Sequence, residues 1–201
     1  MNGTVDGRQH YDLLIEEEND PVRDPELLRS YMDRWDGQPF LDALQLTGGE
    51  SVLEIGVGTG RLAQRVIPVS GEFTGVDCSE KTIARGIENL NPGDNVELLC
   101  HDFMDYQTDK TFDRIYSSLT TMHIPDKLAF YRKVAMLLRC GGRFVVSLDK
   151  NREEILDMGT RRVQIYPDDP TLTIEYIRAV GLSLVDSWET EAAWILVCGK
   201  S

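Results

Sequence analysis

The sequence predicts an α/β fold: a three-layer sandwich whose seven-stranded, mostly parallel sheet lies between helices and ends in a C-terminal antiparallel hairpin. Three observations carry this. Short apolar runs suited to buried strands recur over 51–55, 72–77, 95–100, 112–117 and 143–149. Most are followed by apolar residues at helical spacing, the alternation expected of parallel strands joined by helical crossovers. The last two runs, over 182–188 and 192–198, are separated only by Glu189-Thr190-Glu191, a link short enough to require antiparallel pairing. With 201 residues the chain accommodates one such domain with a sizeable core, so 1–201 reads as a single unit.

Composition narrows the partners. Apolar residues make up 41% and charged residues 27%, the balance of an ordinary globular protein. No apolar run approaches the roughly 20 residues that span a bilayer, and the first ten residues lack a hydrophobic signal core. A cytoplasmic location without a membrane partner is therefore expected. The formal net charge is −13, and no Lys/Arg cluster makes a local exception to it. Such a surface repels phosphate backbones, so nucleic acid is not expected as a partner. Cys78, Cys100, Cys140 and Cys198 are scattered, with no histidine at ligand spacing. They read as small buried hydrophobes, and no metal site is expected.

Residues 1–10 read as a frayed tail. Tyr11, Leu14 and Ile15 give one or two helical turns over 11–18, broken by Asn19-Asp20-Pro21. Asp24-Pro25-Glu26 offers an N-cap, a proline at the first helical position and an early acid. Leu27, Leu28, Tyr31, Met32 and Trp35 continue that helix's apolar face, and a further helical piece holds Phe40, Leu41, Leu44 and Leu46.

The first strand runs directly into Gly56, Gly58 and Gly60. Thr59 is placed to cap a helix whose apolar positions are Leu62, Ala63 and Val66. Glycines at such a corner permit positive φ and let a ligand lie against bare peptide, while the helix end offers free N–H groups. A dinucleotide fingerprint, G-x-G-x-x-G, would need glycine at 61, where this chain has Arg61. Glu54, two residues before the first glycine, is unsuited to a pyrophosphate and suited to a cation. The second strand ends in Asp77, at the position where an acid accepts hydrogen bonds from ribose hydroxyls, and Ser79 can cap the helix after it.

Glu54-x-Gly56-x-Gly58-x-Gly60 resembles motif I of the class I S-adenosylmethionine-dependent methyltransferases. The resemblance extends over about residues 40 to 200. It includes the Phe112-Asp113 pair opening the fourth strand, Leu137-Leu138-x-x-Gly141-Gly142 before the fifth, and the terminal hairpin. Val57 departs from the small or polar residue more usual there. The resemblance implies a Rossmann-like methyltransferase fold and S-adenosyl-L-methionine as cofactor. It would be held by Glu54, the peptides of Gly56, Val57, Gly58 and Gly60, and Asp77 with Cys78 beside it. Asp102 and Phe103 would read the adenine, and Ser118 and Leu119 would border the methionine or the methyl. The implied enzyme activity is transfer of a methyl group, by in-line displacement, to a small-molecule acceptor.

The alternatives are a cofactor-binding protein without transferase activity and an aminopropyl transferase. The latter normally needs an acidic polyamine site that residues 117–124 do not supply. Residues 1–47 would form a helical lid and about 151–170 a substrate-side insert. Tyr11, Tyr31 and Trp35 would touch substrate or only pack the lid onto the core. In the insert, a short helix is expected over 152–158 and an exposed strand over 162–166, with Arg161, Arg162 and Tyr166 as candidates for binding an anionic or aromatic acceptor. Thr173 is placed to cap the last helix. His123 has two readings: a cap for the next helix, or a general base with an ordinary pKa near working pH.

Overall fold

The computed structural model describes residues 3–201. The chain opens with strand β1 (Thr4–Val5) and helix α1 (Gly7–Glu16). This corrects the frayed tail, whose first two residues lie outside those described. Asp6 starts α1 by accepting from the Gln9 N–H at 2.8 Å, a side-chain cap of the usual kind. Helix α2 (Glu26–Met32) begins after Pro25 with no side-chain cap, so Asp24 does not have the capping role expected of it. Helix α3 (Gly37–Asp42) is capped by Asp36.

The body follows as β2 (Ser51–Ile55), α4 (Ala63–Val66), β3 (Glu72–Asp77), α5 (Glu80–Leu90), β4 (Val96–Cys100), β5 (Phe112–Ser118), α6 (Lys127–Leu137) and β6 (Leu138–Asp149). A small hairpin of β7 (Ile155–Asp157) and β8 (Arg162–Gln164) precedes α7 (Pro170–Ala179), β9 (Leu182–Glu189) and β10 (Ala193–Lys200). The seven-stranded sheet has the order β4-β3-β2-β5-β6-β10-β9. Strands β4, β3, β2, β5 and β6 are parallel, and β10 is antiparallel to both β6 and β9.

Both faces of this sheet are buried. Val52, Phe73 and Tyr116 pack on one side with Phe40 of α3, Val66 of α4 and Ile83 of α5. Leu53, Ile115 and Phe144 pack on the other with Phe130 and Val134 of α6 and Ile177 of α7. Burial on two faces is why the parallel strands read as continuous apolar runs instead of alternating ones. The chain leaves β2 toward β3 on one side and has β5 on the other, so strand order reverses at β2. The carboxyl ends around that reversal form a crevice, the place where open α/β sheets bind ligands.

Local chemistry accounts for the remaining departures. Helix α6 passes directly into β6, and Gly141 and Gly142 lie inside that strand instead of ending the helix. Leu138 pairs with Phe112, and the register then shifts between Phe112 and Arg114. A Cβ on Gly142 would meet the Arg139 carbonyl at 2.7 Å, so the glycine allows the irregular turn within the strand. Helix α7 is capped by Asp169, which accepts from the N–H groups of Thr171 and Leu172. Thr173 is buried inside the helix instead. Leu62 stands at the N-cap of helix α4 and gives no side-chain cap, and Thr59 is buried in the turn before it.

The helix expected over 152–158 is replaced by β7, because Leu156 pairs across from Val163 in a three-stranded sheet of order β1-β8-β7. Val163 and Ile165 turn inward onto Met122; the 162–166 segment alternates as expected, but its inner side is covered. Of the cysteines only Cys198 is buried; Cys100 and Cys140 are exposed and Cys78 lies between.

Candidate functional site

A cavity of about 220 Å³ lies at the carboxyl ends of β2, β3 and β5, closed from above by α1 and by Met32 of α2. The turn after β2 forms its floor. Gly56 has φ +79° and a Cβ there would come within 1.9 Å of Thr120 Oγ1, so the position admits no side chain. Its N–H and that of Val57 donate to the Val76 carbonyl at 2.8 and 3.2 Å, tying the turn to β3. Gly58 has φ +57° and a Cβ there would project into open space. Bare peptide therefore faces the cavity at Gly58. Gly60 backs the turn against Leu90 and does not line the cavity.

Two carboxylates flank this peptide. Asp77, at the end of β3, accepts from the Gly58 N–H and the Ser79 N–H, each at 3.0 Å. Burial raises its pKa, and these backbone donors oppose the rise. Glu54, on β2, is 3% exposed and accepts from the Tyr116 hydroxyl at 2.7 Å. Burial pushes the Glu54 carboxyl up to about 8, against the Tyr116 bond and the field of Arg61. A carboxyl so placed favours a cation that would replace the lost solvation of its charge.

Behind Glu54 lies a largely buried ion pair. Asp36 accepts from both guanidinium nitrogens of Arg61, from the Gly37 N–H at 2.6 Å and from the Ser118 hydroxyl at 2.7 Å. Burial opposes the Arg61 charge, but the bonded Asp36, with Glu54 and Asp33, outweighs it and holds the guanidinium above its ordinary value. Sequence reasoning missed this pair. An aspartate before a glycine reads as a helix cap, which Asp36 also is, and only the fold brings it to Arg61.

Cys78, Asp102, Phe103, Val57, Ser118 and Leu119 all border the cavity. Asp102 accepts from the Met104 N–H at 2.8 Å, and Phe103 packs edge-on against Phe130. Burial, then the Asp77 charge, pushes the Cys78 thiol up to about 11. His123 lies in a short turn (Thr121–His123). Its Nε2 is 3.3 Å from the Tyr11 hydroxyl, while its buried Nδ1 has no partner. Burial, reinforced by His10 and Lys127, pushes the imidazole down to about 4. The cap of α6 is Asp126, which accepts from the Ala129 N–H, so His123 is not the helix cap. Of the other expected acceptor contacts only Tyr11 reaches the wall, joined there by Leu14 and Ile15, to which sequence reasoning assigned no site role.

Tyr31, Trp35, Arg162 and Tyr166 do not line the cavity. Trp35 Nε1 donates to Asp149 at 2.6 Å and its ring packs on the half-exposed Tyr31. Arg162 is exposed on β8, and Tyr166 is exposed, its N–H donating to the Met122 carbonyl. Arg161 is buried, donating to His10 Nδ1 at 2.9 Å and to Glu17 at 2.6 Å. It anchors α1 to the β7–β8 hairpin.

Comparison with known proteins agrees with this geometry. Residues 52–142 match the family described as Methyltransferase domain. The sterol 24-C-methyltransferase of Eremothecium gossypii is 31% identical over 106 residues, covering 50% of this chain and 28% of that protein. The chain spans less than half the length of the curated relatives it matches. Among solved structures, the DhpI–SAH complex superposes with a TM-score of 0.75 at 20% identity, covering 96% of this chain and 94% of the other. The N-methyltransferase NodS from Bradyrhizobium japonicum, in complex with S-adenosyl-L-homocysteine, superposes at 0.73 with 16% identity, covering 95% and 96%. Sheet order, glycine corner and terminal hairpin define a Rossmann-like methyltransferase fold. Over 52–142, less than half of its length, the chain is similar to the methyltransferase-domain family.

Proposed function

We propose that this chain is an enzyme that uses S-adenosylmethionine to methylate a small-molecule acceptor. The observation that carries the reading is the pairing of a buried, solvent-starved Glu54 with the bare peptide at Gly58 and the acceptor Asp77, all on one cavity wall. These residues fit the cofactor. Glu54 suits a cationic group, Gly58 leaves room for close approach, and Asp77 suits hydroxyls. Asp102 and Phe103 stand where an amine and a ring would be read. When bound, the cofactor supplies a methyl group on a positively charged sulfur with a good leaving group.

What the protein adds is chiefly alignment, the source of large rate effects in bimolecular transfers. Ser118 is fixed by its bond to Asp36, and Leu119 is held at φ +56°, so the edge bordering the reacting atoms is rigid. His123, with an uncharged ring, can accept a proton or hydrogen bond from an acceptor group; we assign it that role. Residues 1–47 act as the lid, since α1 and Met32 close the cavity. Segment 151–170 acts as the substrate-side insert, tied to the lid by β1–β8 pairing and by Arg161. Relatives named for a sterol, malonyl-acyl-carrier protein and a rifamycin support a small acceptor. The net charge of −13 argues against nucleic acid. No helix among the described residues is long and apolar enough to cross a membrane, and we place the protein in the cytoplasm.

The test is incubation with methyl-labelled S-adenosylmethionine and a metabolite extract. Label in a small product supports the reading. Tight cofactor binding with no labelled product would favour the non-catalytic alternative.

A further inference from the structure

The part of the wall supplied by the N-terminal helices differs in chemistry from the floor. Leu14 and Ile15 of α1, Pro21, and Met32 of α2 make it apolar. Its polar features are Asn19 and the Tyr11 hydroxyl, the latter set 3.3 Å from His123 Nε2, with the buried Nδ1 of the same ring unpartnered. Gly7 lies against that nitrogen; a Cβ there would come within 3.0 Å of it.

Charge on the wall is one-sided. Glu54, Asp77 and Asp102 border the cavity, and the single lysine or arginine bordering it, Arg61, is already bonded twice to Asp36. Arg161, the basic group the sequence offered for an anionic acceptor, is neutralised by Glu17 and bonded to His10. A carboxylate or phosphate entering here would lose its hydration with no free cation among the lining residues to replace it.

Resting on the methyltransferase reading, we infer that the acceptor is an uncharged, largely apolar molecule presenting a hydroxyl group to Tyr11 and His123, and that anionic acceptors are turned away. The apolar wall takes the body of the molecule and the Tyr11–His123 pair orients its hydroxyl. Discrimination against anions comes from what the wall lacks.

The experiment uses the full chain saturated with S-adenosylhomocysteine, with calorimetric titration of para-heptylphenol and of para-heptylbenzoate. The phenol should bind at least about tenfold more tightly, the worth of roughly one hydrogen bond plus the absent charge penalty. Tyr11→Phe should weaken the phenol by about tenfold and leave the benzoate unchanged. Met32→Lys, which places a cation on the wall, should bring the benzoate to parity or better. Equal or tighter binding of the benzoate to the unaltered protein would overturn the inference, as would binding of neither compound to protein that takes up the cofactor product. Failure to take up S-adenosylhomocysteine at all would overturn the methyltransferase reading and this inference with it.

Discussion

Glu54 gives the sharpest pH dependence in the molecule. Its carboxyl, buried on β2 and held near 8, is mostly protonated in the free protein at neutral pH. A cationic ligand needs the ionised form, so binding must expel a proton. Each pH unit below 8 then costs about 1.4 kcal/mol, or roughly tenfold in affinity. Between pH 6 and 7.5, below the range of about 7.7–8.0 where a free α-amino group titrates, the Kd for S-adenosylmethionine should fall about tenfold per unit. Calorimetry in buffers of different ionisation enthalpy should report nearly one proton released per ligand. Glu54→Gln should bind weakly, with a flat profile and no proton release. A flat profile and no released proton in the unaltered protein would refute the reasoning, because Glu54 would then be ionised before the ligand arrives.

The same residue should trade stability for function. The folded carboxyl near 8 lies above its ordinary 4.5, so between those values the folded state holds a proton that the unfolded chain has released. Stability therefore falls as pH rises from 4.5 through 8, and Glu54→Gln, which still accepts from Tyr116, should be more stable at pH 8 by on the order of 3 kcal/mol; thermal melts at pH 5 and 8 check this. Gly58→Ala places a methyl in the cavity and should weaken cofactor binding at least about tenfold while costing roughly 1 kcal/mol in urea unfolding. Gly56→Ala must displace Thr120 and should instead cost about 2 kcal/mol or more, lowering the yield of folded protein. Asp36→Ala leaves the largely buried Arg61 with only the more distant Asp33 as a partner, and should cost on the order of 3 kcal/mol by the same unfolding measurement.

What the residues revealed in advance follows from how local each signal is. The strands of the main sheet and the terminal hairpin were legible, because burial on both faces imposes continuous apolar runs. The floor of the site was legible as well, since Glu54, the glycine turn and Asp77 lie within one strand–turn–helix–strand unit. The site's upper half was not. Asp36 and Arg61, 25 residues apart, meet through packing of α3 on the sheet, and neither carries a signal of the other. Tyr31 and Trp35 looked like lid aromatics, yet Trp35 is bonded away from the cavity to Asp149. Leu14 and Ile15 read only as the apolar side of a short helix, and they line the wall. An amphipathic helix covering a cavity has the same sequence pattern as one covering a core. The insert misled for a related reason. Ile155 and Leu156 fit a short helix until Val163 supplies a strand to pair with, and β propensity depends on such a partner.

The claim on which the account stands is that the wall formed by Glu54, Gly58 and Asp77 is built for a cationic adenosyl sulfur compound. Isothermal titration of the folded protein with S-adenosylmethionine tests it most directly. Saturable one-to-one binding, lost in Gly58→Ala, is the predicted result; no heat with that compound, and uptake of a nicotinamide dinucleotide in its place, would contradict it.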